Sequence, residues 1–427
     1  MRNKYQYPKP SLNFLNKLVE FSKKYTYSSI LFSAENNDKY SKFSTIAALG
    51  AIKIISSKSD SFNKLLKFHS NQKDWMFGFL SYDIKNEIED LKSENIDEFN
   101  FPNLEFFIPE TIFFISDYDM LVESFLEEEK ILDLLHKINK SDKINNNNLD
   151  ITLSFRETEE EFLQKIKKIK KHIQLGDIYE MNYCQELFSK GYSINPTSVF
   201  WDLYTKSNAP FSVFSKMKDK YLLCSSPERF LQKSDNKIIS QPIKGTRKRG
   251  LTQQEDKKLI NNLKHSEKDI SENIMIVDLV RNDLSKTAEK SSVKVEELCK
   301  IYSFNRVHQM ISTISSNVDE KYNFVDVLES TFPMGSMTGA PKIRSMELIE
   351  KYETTKRSLF SAAYGYITPN ADFDFNVVIR SILYDKIKNY ISVIVGGAIT
   401  INSDPKLEYE ECLIKAKAMI DVLKNEK

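Results

Sequence analysis

Apolar residues recur at helical intervals in some stretches of the chain and in short alternating or continuous runs in others, which separates expected helices from expected strands. Residues 12–24 and 58–69 read as amphipathic helices, and 30–33, 76–82 and 111–115 as short strands. Across 122–140 the apolar positions Phe125, Ile131, Leu134, Leu135 and Ile138 predict one continuous helix. Ile166, Ile169 and Ile173 thread the lysine-rich stretch 165–172 in the same way, so its lysines form the solvated face of a helix. Thr158 and Glu161 have the spacing of a capping box that opens this helix, and Gly176 stops it. Residues 151–155 read as a strand, and 408–425, with Leu413, Ala416, Met419, Ile420 and Leu423 on one side, as a closing helix. The segment 141–150 has almost nothing to bury and reads as a connector between an N-terminal region, 1–150, and a second region, 151–427. Helices and strands alternate irregularly, so the class is α/β or α+β, with no internal repeat.

Composition narrows the function. At 427 residues and 41% hydrophobic the chain has material for one large domain or two ordinary ones. Its 61 Lys and Arg against 60 Asp and Glu supply no long-range field for a phosphate backbone, so nucleic acid is not an expected partner. The longest apolar runs, such as 391–401, fall short of the roughly 18 residues that would span a bilayer. The start of the chain is studded with Lys, Asn and Pro, unlike the apolar run expected of a signal segment. A cytoplasmic protein with no membrane partner is the expectation. Cys184, Cys224, Cys299 and Cys412 lie far apart with no CxxC pair, which suggests neither a disulfide framework nor a zinc site.

Glycine is scarce, 11 in the whole chain, and seven of the eleven fall in four clusters: QPIKGTRKRG, PMGSMTGAPK, AAYGYI and VIVGGAI. Such glycines mark turns or places where a ligand approaches the backbone, and none fits a nucleotide-binding loop. Two acidic pairs sit at i, i+3 on expected helices: Asp269 with Glu272, and Glu408 with Glu411. That spacing puts both carboxylates on one face, either as a solvated surface or as partial ligands for a hard cation that completes its shell with water and substrate oxygens. Ile270, Ile274 and Val277 crowd the helix of Glu272 and favour a partly buried carboxylate, which needs a partner.

The ordered segments GDIYEMNYCQELF, SPERF, QPIKGTRKRG, SENIMIVDLVRNDL, VHQMISTI, FPMGSMTGAPKIRSMELIE, AAYGYI, FNVVIRS, VGGAI and EYEE resemble the chorismate-utilising enzymes, the group that includes component I of aminodeoxychorismate synthase and of anthranilate synthase. The resemblance covers about 151–427, and LFSAEN and GFLSYD extend it weakly toward the N-terminus. It implies a fold of two large antiparallel sheets packed face to face and flanked by helices, with both parts of the chain contributing strands.

The resemblance also implies roles. Glu272 and Glu411 match Mg²⁺ ligands, with Asp269 and Glu408 beside them, and Mg²⁺ would hold the ring carboxylate of chorismate. Arg380 and Tyr366 match a pair that grips the enolpyruvyl carboxylate. Ser336, Thr338, Gly339, Gly245, Gly396 and Gly397 match positions that line the substrate, and Lys342 and Arg281 look like supporting charges. His308 matches a histidine near the leaving hydroxyl, although a lone histidine is also a common structural residue. Glu228 matches a general acid, which requires a raised pKa in a closed site. Gln185 stands where water-using relatives are expected to carry a lysine, so ammonia is the expected nucleophile. Lys244 matches the covalent nucleophile of the C4-aminating enzymes, where anthranilate synthases have alanine. As a nucleophile it is expected to be a neutral amine of lowered pKa. The expected product is therefore 4-amino-4-deoxychorismate, with anthranilate synthase chemistry as the alternative. Ammonia would come from a separate class I glutamine amidotransferase subunit, since no glutaminase triad is present and no room is left for a fused lyase. Met334, Glu186 and the loose LFSAEN segment depart from the family pattern.

Overall fold

A computed structural model describes residues 2–33, 39–41, 43–144 and 149–424. Residues 145–148 of the expected connector, Ala34, Glu35 and Asn36 of LFSAEN, and the end of the closing helix at Asn425 lie outside them. Among the described residues two antiparallel sheets form, of twelve and ten strands. The larger runs from Asn3–Pro8 at one edge, through the central Phe211–Met217 and Lys220–Ser226 hairpin, to Tyr390–Ile399, Glu180–Lys190 and Gly339–Ala340 at the other. The smaller runs from Ile243–Lys248 and Val307–Asn317, through Arg229–Ser234 and Phe373–Val377, to Lys53–Ser57. Strands from both sides of residue 150 enter each sheet, so that boundary marks the chain and not the packing.

The apolar pattern follows from this layering. Tyr27, Ile112, Phe114 and Val213 of the larger sheet meet Phe77, Phe79 and Phe107 of the smaller one in a shared core. Helices cover the outer faces: Leu12–Ser22, Glu128–Lys140, Glu159–Gln174 and Pro405–Leu423 over the larger sheet, and Ser61–Gln72, Glu267–Ser285 and Phe324–Thr331 over the smaller. Strands covered on both faces lose their alternation, which is why Met76–Leu80 and Thr111–Ile115 are continuous apolar runs. The capping box of Thr158 and Glu161 is present, and Gly176 has φ +81° after its helix.

Two expectations change. The single helix expected over 122–140 is a strand, Asp119–Ser124, followed by a helix that begins at Glu128. The strand lies between Asn3–Pro8 and Thr111–Ile115, and these two ladders outweigh the helical spacing of its few apolar positions. The strand expected at 151–155 is reduced to Ser154–Phe155, because Ile151 turns inward and donates its N–H to the Leu423 carbonyl.

One buried cation ties the sheets to the loop that follows Phe332. Arg357, 1% exposed, donates to Glu353 Oε2 (2.9 Å) and Oε1 (2.7 Å), to the Met337 carbonyl (2.6 Å) and to the Asn182 carbonyl (3.1 Å). Glu353 also accepts the Cys184 N–H at 2.9 Å. Breaking a buried pair from one side leaves a charge in the core. Arg357→Met should therefore lower the unfolding free energy by about 3–5 kcal/mol in denaturant titrations. The double variant Glu353→Gln, Arg357→Met should recover part of that loss. A single variant as stable as the parent would refute the assignment.

Candidate active site

The strand Glu180–Lys190 sets up the site, because its residues alternate between two buried environments. Met181, Tyr183 and Leu187 enter the helix-covered core, while Cys184 faces the core of the smaller sheet. Asn182 Nδ2 donates to the Ser336 carbonyl at 2.8 Å, and Ser336 Oγ donates to Glu228 Oε1 at 2.6 Å. Glu180 Oε1 lies 2.9 Å from Lys244 Nζ. Lys244 comes from the edge strand Ile243–Lys248, whose register with Val307–Asn317 slips by one residue between Ile243 and Thr246. This bulge, with Gly245 at φ +86°, aims the lysine toward the larger sheet.

Burial pushes the Glu228 carboxyl up to about 7, against the Ser336 hydroxyl, the Lys244 charge and the Ile243 N–H, which all favour its ionised form. Burial works against the Lys244 ammonium, but the carboxylates of Glu180, Glu272 and Glu228 outweigh it and hold the pKa above that of an ordinary lysine. The expected lowering is thus reversed: its neighbours are anions, and Lys244 rests as a cation.

The two acidic pairs meet between helices Glu267–Ser285 and Pro405–Leu423. Lys268 Nζ lies 3.9 Å from Glu272 and 3.6 Å from Glu408. Asp269 pairs with Arg247 at 2.7 Å, Glu408 accepts the Ser403 hydroxyl at 2.7 Å, and Glu411 pairs with Lys415 at 2.7 Å. Glu272 differs: its Oε1 is buried without a hydrogen-bond partner, and burial pushes the carboxyl up to about 7. Glu411 is held below the usual range, since Lys415, Lys268 and Lys244 outweigh its burial. Two glycines make room here. A Cβ on Gly245 would fall 2.9 Å from the Asp269 carboxyl, and one on Gly397 would fall 3.3 Å from Glu408 Oε2. Among the described residues no three acidic, His or Cys side chains form a ready metal cage. Mg²⁺ is commonly held by one or two carboxylates plus water and substrate oxygens, and the orphaned oxygen of Glu272, which shares the field of Lys268 with Glu408 and Glu411, fits that mode.

Several expected site residues stand elsewhere. Gln185 is five positions from Glu180 along one strand, hence on the opposite face, where it lies beside Cys412. Tyr366 packs against Trp75 and Phe77 (ring centroids 5.6 and 6.0 Å) and lines an aromatic cavity between the sheets with Phe32 and Asn376. Arg380 instead donates to the Lys415 carbonyl at 2.9 Å beside Glu411, so it and Tyr366 form no common grip. Both ring nitrogens of the fully buried His308 are engaged, by Ser303 at 2.8 Å and Asp256 at 2.9 Å, which leaves it structural. Arg281 is half exposed and pairs with Asp278 on its own helix. Lys342 is buried against Asp283 and the Thr331 carbonyl, joining Lys342–Tyr352 to Glu267–Ser285. The Thr338 hydroxyl bonds within its loop, to the Met334 carbonyl at 3.2 Å. Gly339 and Gly396 allow close strand pairing: a Cβ would fall 2.1 Å from the Glu180 carbonyl and 2.3 Å from the Tyr183 carbonyl. Glu186 is satisfied by Arg156, Tyr390, Ser392 and Thr355. Sequence reasoning missed Glu180 and Asn182. Their signal was two polar residues at i, i+2 in an apolar strand, which share one face.

Comparison with known proteins gives concordant results. A sequence profile described as chorismate binding enzyme matches residues 26–421. Aminodeoxychorismate synthase component 1 of Bacillus subtilis (strain 168) is 32% identical over 369 residues, 80% of this chain and 75% of that protein. The protein of the same description from Escherichia coli (strain K12) is 36% identical over 266 residues, 62% of this chain and 58% of the relative, so that match spans little more than half the relative. Anthranilate synthase component I from Streptococcus pneumoniae TIGR4 superposes with a TM-score of 0.75 over 89% of this chain and 92% of that one. At 24% identity that likeness establishes a shared fold.

The Glu228 environment can be checked without turnover. The infrared band of its protonated carboxyl, isolated by difference against Glu228→Gln, should disappear with a midpoint near about 7. Ser336→Ala removes a bond that favours the carboxylate and should move the midpoint upward. A midpoint in the ordinary range of about 4 to 4.5 would contradict the closed environment.

Proposed function

The chain belongs to the chorismate binding enzymes, and on that premise we propose that it is the aminating component of an aminodeoxychorismate synthase. It converts chorismate and ammonia to 4-amino-4-deoxychorismate, on the route to p-aminobenzoate and folate. Lys244 carries the choice of product: its Nζ is directed inward between Glu180 and the acid Glu228, where a surface lysine would have no reason to be. As the free amine it attacks C2, the two ring double bonds shift, and the C4 hydroxyl departs as water with the proton of Glu228. Ser336 keeps Glu228 oriented through its 2.6 Å bond. Ammonia then adds at C4, the double bonds shift back, and the C2–N bond breaks to free the lysine. While Lys244 occupies C2, ammonia is confined to C4.

Glu272 and Glu411, with Asp269 and Glu408 beside them, would hold Mg²⁺, which when bound neutralises the ring carboxylate of chorismate. Arg380 remains the candidate for the second carboxylate, with its fork near the same end of the site. Ammonia is supplied by a separate class I glutamine amidotransferase subunit. Four free cysteines suit a reducing cytoplasm.

With chorismate, Mg²⁺ and an ammonium salt the purified chain should yield 4-amino-4-deoxychorismate by mass spectrometry, and glutamine should not replace ammonium. Lys244→Ala should lose most of this product and divert residual amination to C2, giving 2-amino-2-deoxyisochorismate. The 4-amino product at the parent rate from Lys244→Ala would reject the nucleophile, and 2-amino product from the parent chain would favour the anthranilate alternative. Glu272→Gln and Glu411→Gln should each abolish turnover while thermal melting stays cooperative, and excess EDTA should do the same to the parent. Full turnover in EDTA would reject the metal assignment.

A further inference from the structure

Lys244 cannot attack as an ammonium, and its surroundings favour that form. Its side chain is 10% exposed, so a proton leaving it needs an acceptor inside the site. Glu180 is the side chain in contact, 2.9 Å from Nζ and 0% exposed. One carboxylate oxygen faces the lysine, and the other, Oε2, is buried with no hydrogen-bond partner, so the group retains acceptor capacity. Its backbone is held from both sides. Glu180 pairs with Ala340, Ser345 Oγ donates to its carbonyl at 3.1 Å, and Gly339 approaches too closely for any Cβ. Two residues along the same strand, Asn182 holds the Ser336 backbone and through it the acid Glu228. One strand thus positions a carboxyl group at each end of the proposed displacement.

We propose that Glu180 is the proton acceptor of Lys244, taking the Nζ proton as the amine attacks and returning it when the amine departs. This rests on the reading of Lys244 as the nucleophile. The Lys244 ammonium passes one proton to the Glu180 carboxylate, and the freed lone pair forms the N–C2 bond. The C4–O bond breaks, and the hydroxyl leaves as water with the proton of Glu228. When ammonia adds at C4, the C2–N pair returns to Nζ, which recovers its proton from Glu180. The new C4 ammonium returns a proton to Glu228. The sum is chorismate plus ammonia to aminodeoxychorismate plus water, with both carboxyl groups restored.

The test is steady-state kinetics with chorismate, Mg²⁺ and ammonium chloride on the parent chain, Glu180→Gln, Glu180→Asp, Lys244→Ala and the double variant Glu180→Gln, Lys244→Ala. Glu180→Gln should lower kcat by about 100-fold or more with the KM for chorismate within about threefold, the pattern of lost proton transfer. The double variant should lose no more than Lys244→Ala alone, since the two side chains act as a unit. Glu180→Asp retains a carboxylate and should be at least about tenfold faster than Glu180→Gln. A Glu180→Gln chain with the parent kcat, or an Asp variant no faster than the Gln variant, overturns the proposal while Lys244→Ala is inactive. Lys244→Ala at the parent rate instead defeats the nucleophile and the inference with it. Should Glu180→Gln fail to fold, quenched-flow formation of the Lys244 adduct in Glu180→Asp decides: a slower rate than the parent supports proton acceptance, and an equal rate overturns it.

Discussion

A carboxylate taken out of water must find a cation, a donor or a proton, and the candidate site is built from carboxylates given different answers. Glu180 is fully buried against Lys244, and Glu408 is 4% exposed between Ser403 and Lys268. Glu411 stays ionised beside Lys415, whereas Glu228, with a hydroxyl and a backbone N–H but no cation in contact, is pushed toward its protonated form. Separated proton affinities among neighbouring carboxyl groups are what acid–base chemistry requires, and here the fold imposes them. The bulge at Gly245 and the bare Cα of Gly397 exist to admit these groups without collision.

The same constraint extends into the framework. Arg357 neutralises Glu353 in the core, and its remaining donors hold the Met337 and Asn182 carbonyls. Lys342 does similar work for Asp283, fastening the helix after the 333–341 loop to the helix that carries Asp269 and Glu272. The loop bearing Ser336 is thus held at Met337 by Arg357 and at its flanks by Lys342, which reaches the Thr331 carbonyl and Asp283, so the position of Glu228 depends on charges outside its own contacts. Such pairs add little net stability, but they make alternative loop placements costly.

Much of this was legible along the chain. The capping box at Thr158, the strand Thr111–Ile115 and the i, i+3 spacing of both acidic pairs are local signals, and local signals survive folding. What was not legible depends on register. Glu180 and Gln185 lie five residues apart, and only the pairing of their strand with Tyr390–Ile399 decides which one faces the lysine. Tyr366 and Arg380 sit in neighbouring motifs, yet the antiparallel pairing of Ala363–Ile367 with Phe373–Val377 carries Tyr366 toward Trp75 and leaves Arg380 beside Glu411. His308 has the right residue type, but Ser303 and Asp256 reach it from segments whose approach no spacing foretells. The 122–140 helix failed for a related reason: its first residues are claimed by strands distant in sequence.

Charge balance links the framework to the substrate class. Lys244, Lys268, Lys415, Arg247 and Arg380 stand against Glu180, Glu272, Glu408, Glu411 and Asp269, while Glu228 is raised to about 7. The cations and these carboxylates are thus equal in number, although Lys268 serves both Glu272 and Glu408 and Arg380 contacts the Lys415 carbonyl. Chorismate is a dicarboxylate, and entering this site it would add two negative charges, against which Arg380, engaged by the Lys415 carbonyl, is the cation outside any ion pair in this group. The remaining negative charge would be offset by proton uptake on a carboxyl group or by a cation entering with the substrate. Glu272, whose orphaned oxygen and raised pKa show that Lys268 compensates it poorly, is where added positive charge is most favourable. The charge a dicarboxylate brings and the raised Glu272 carboxyl thus meet in one electrostatic deficit.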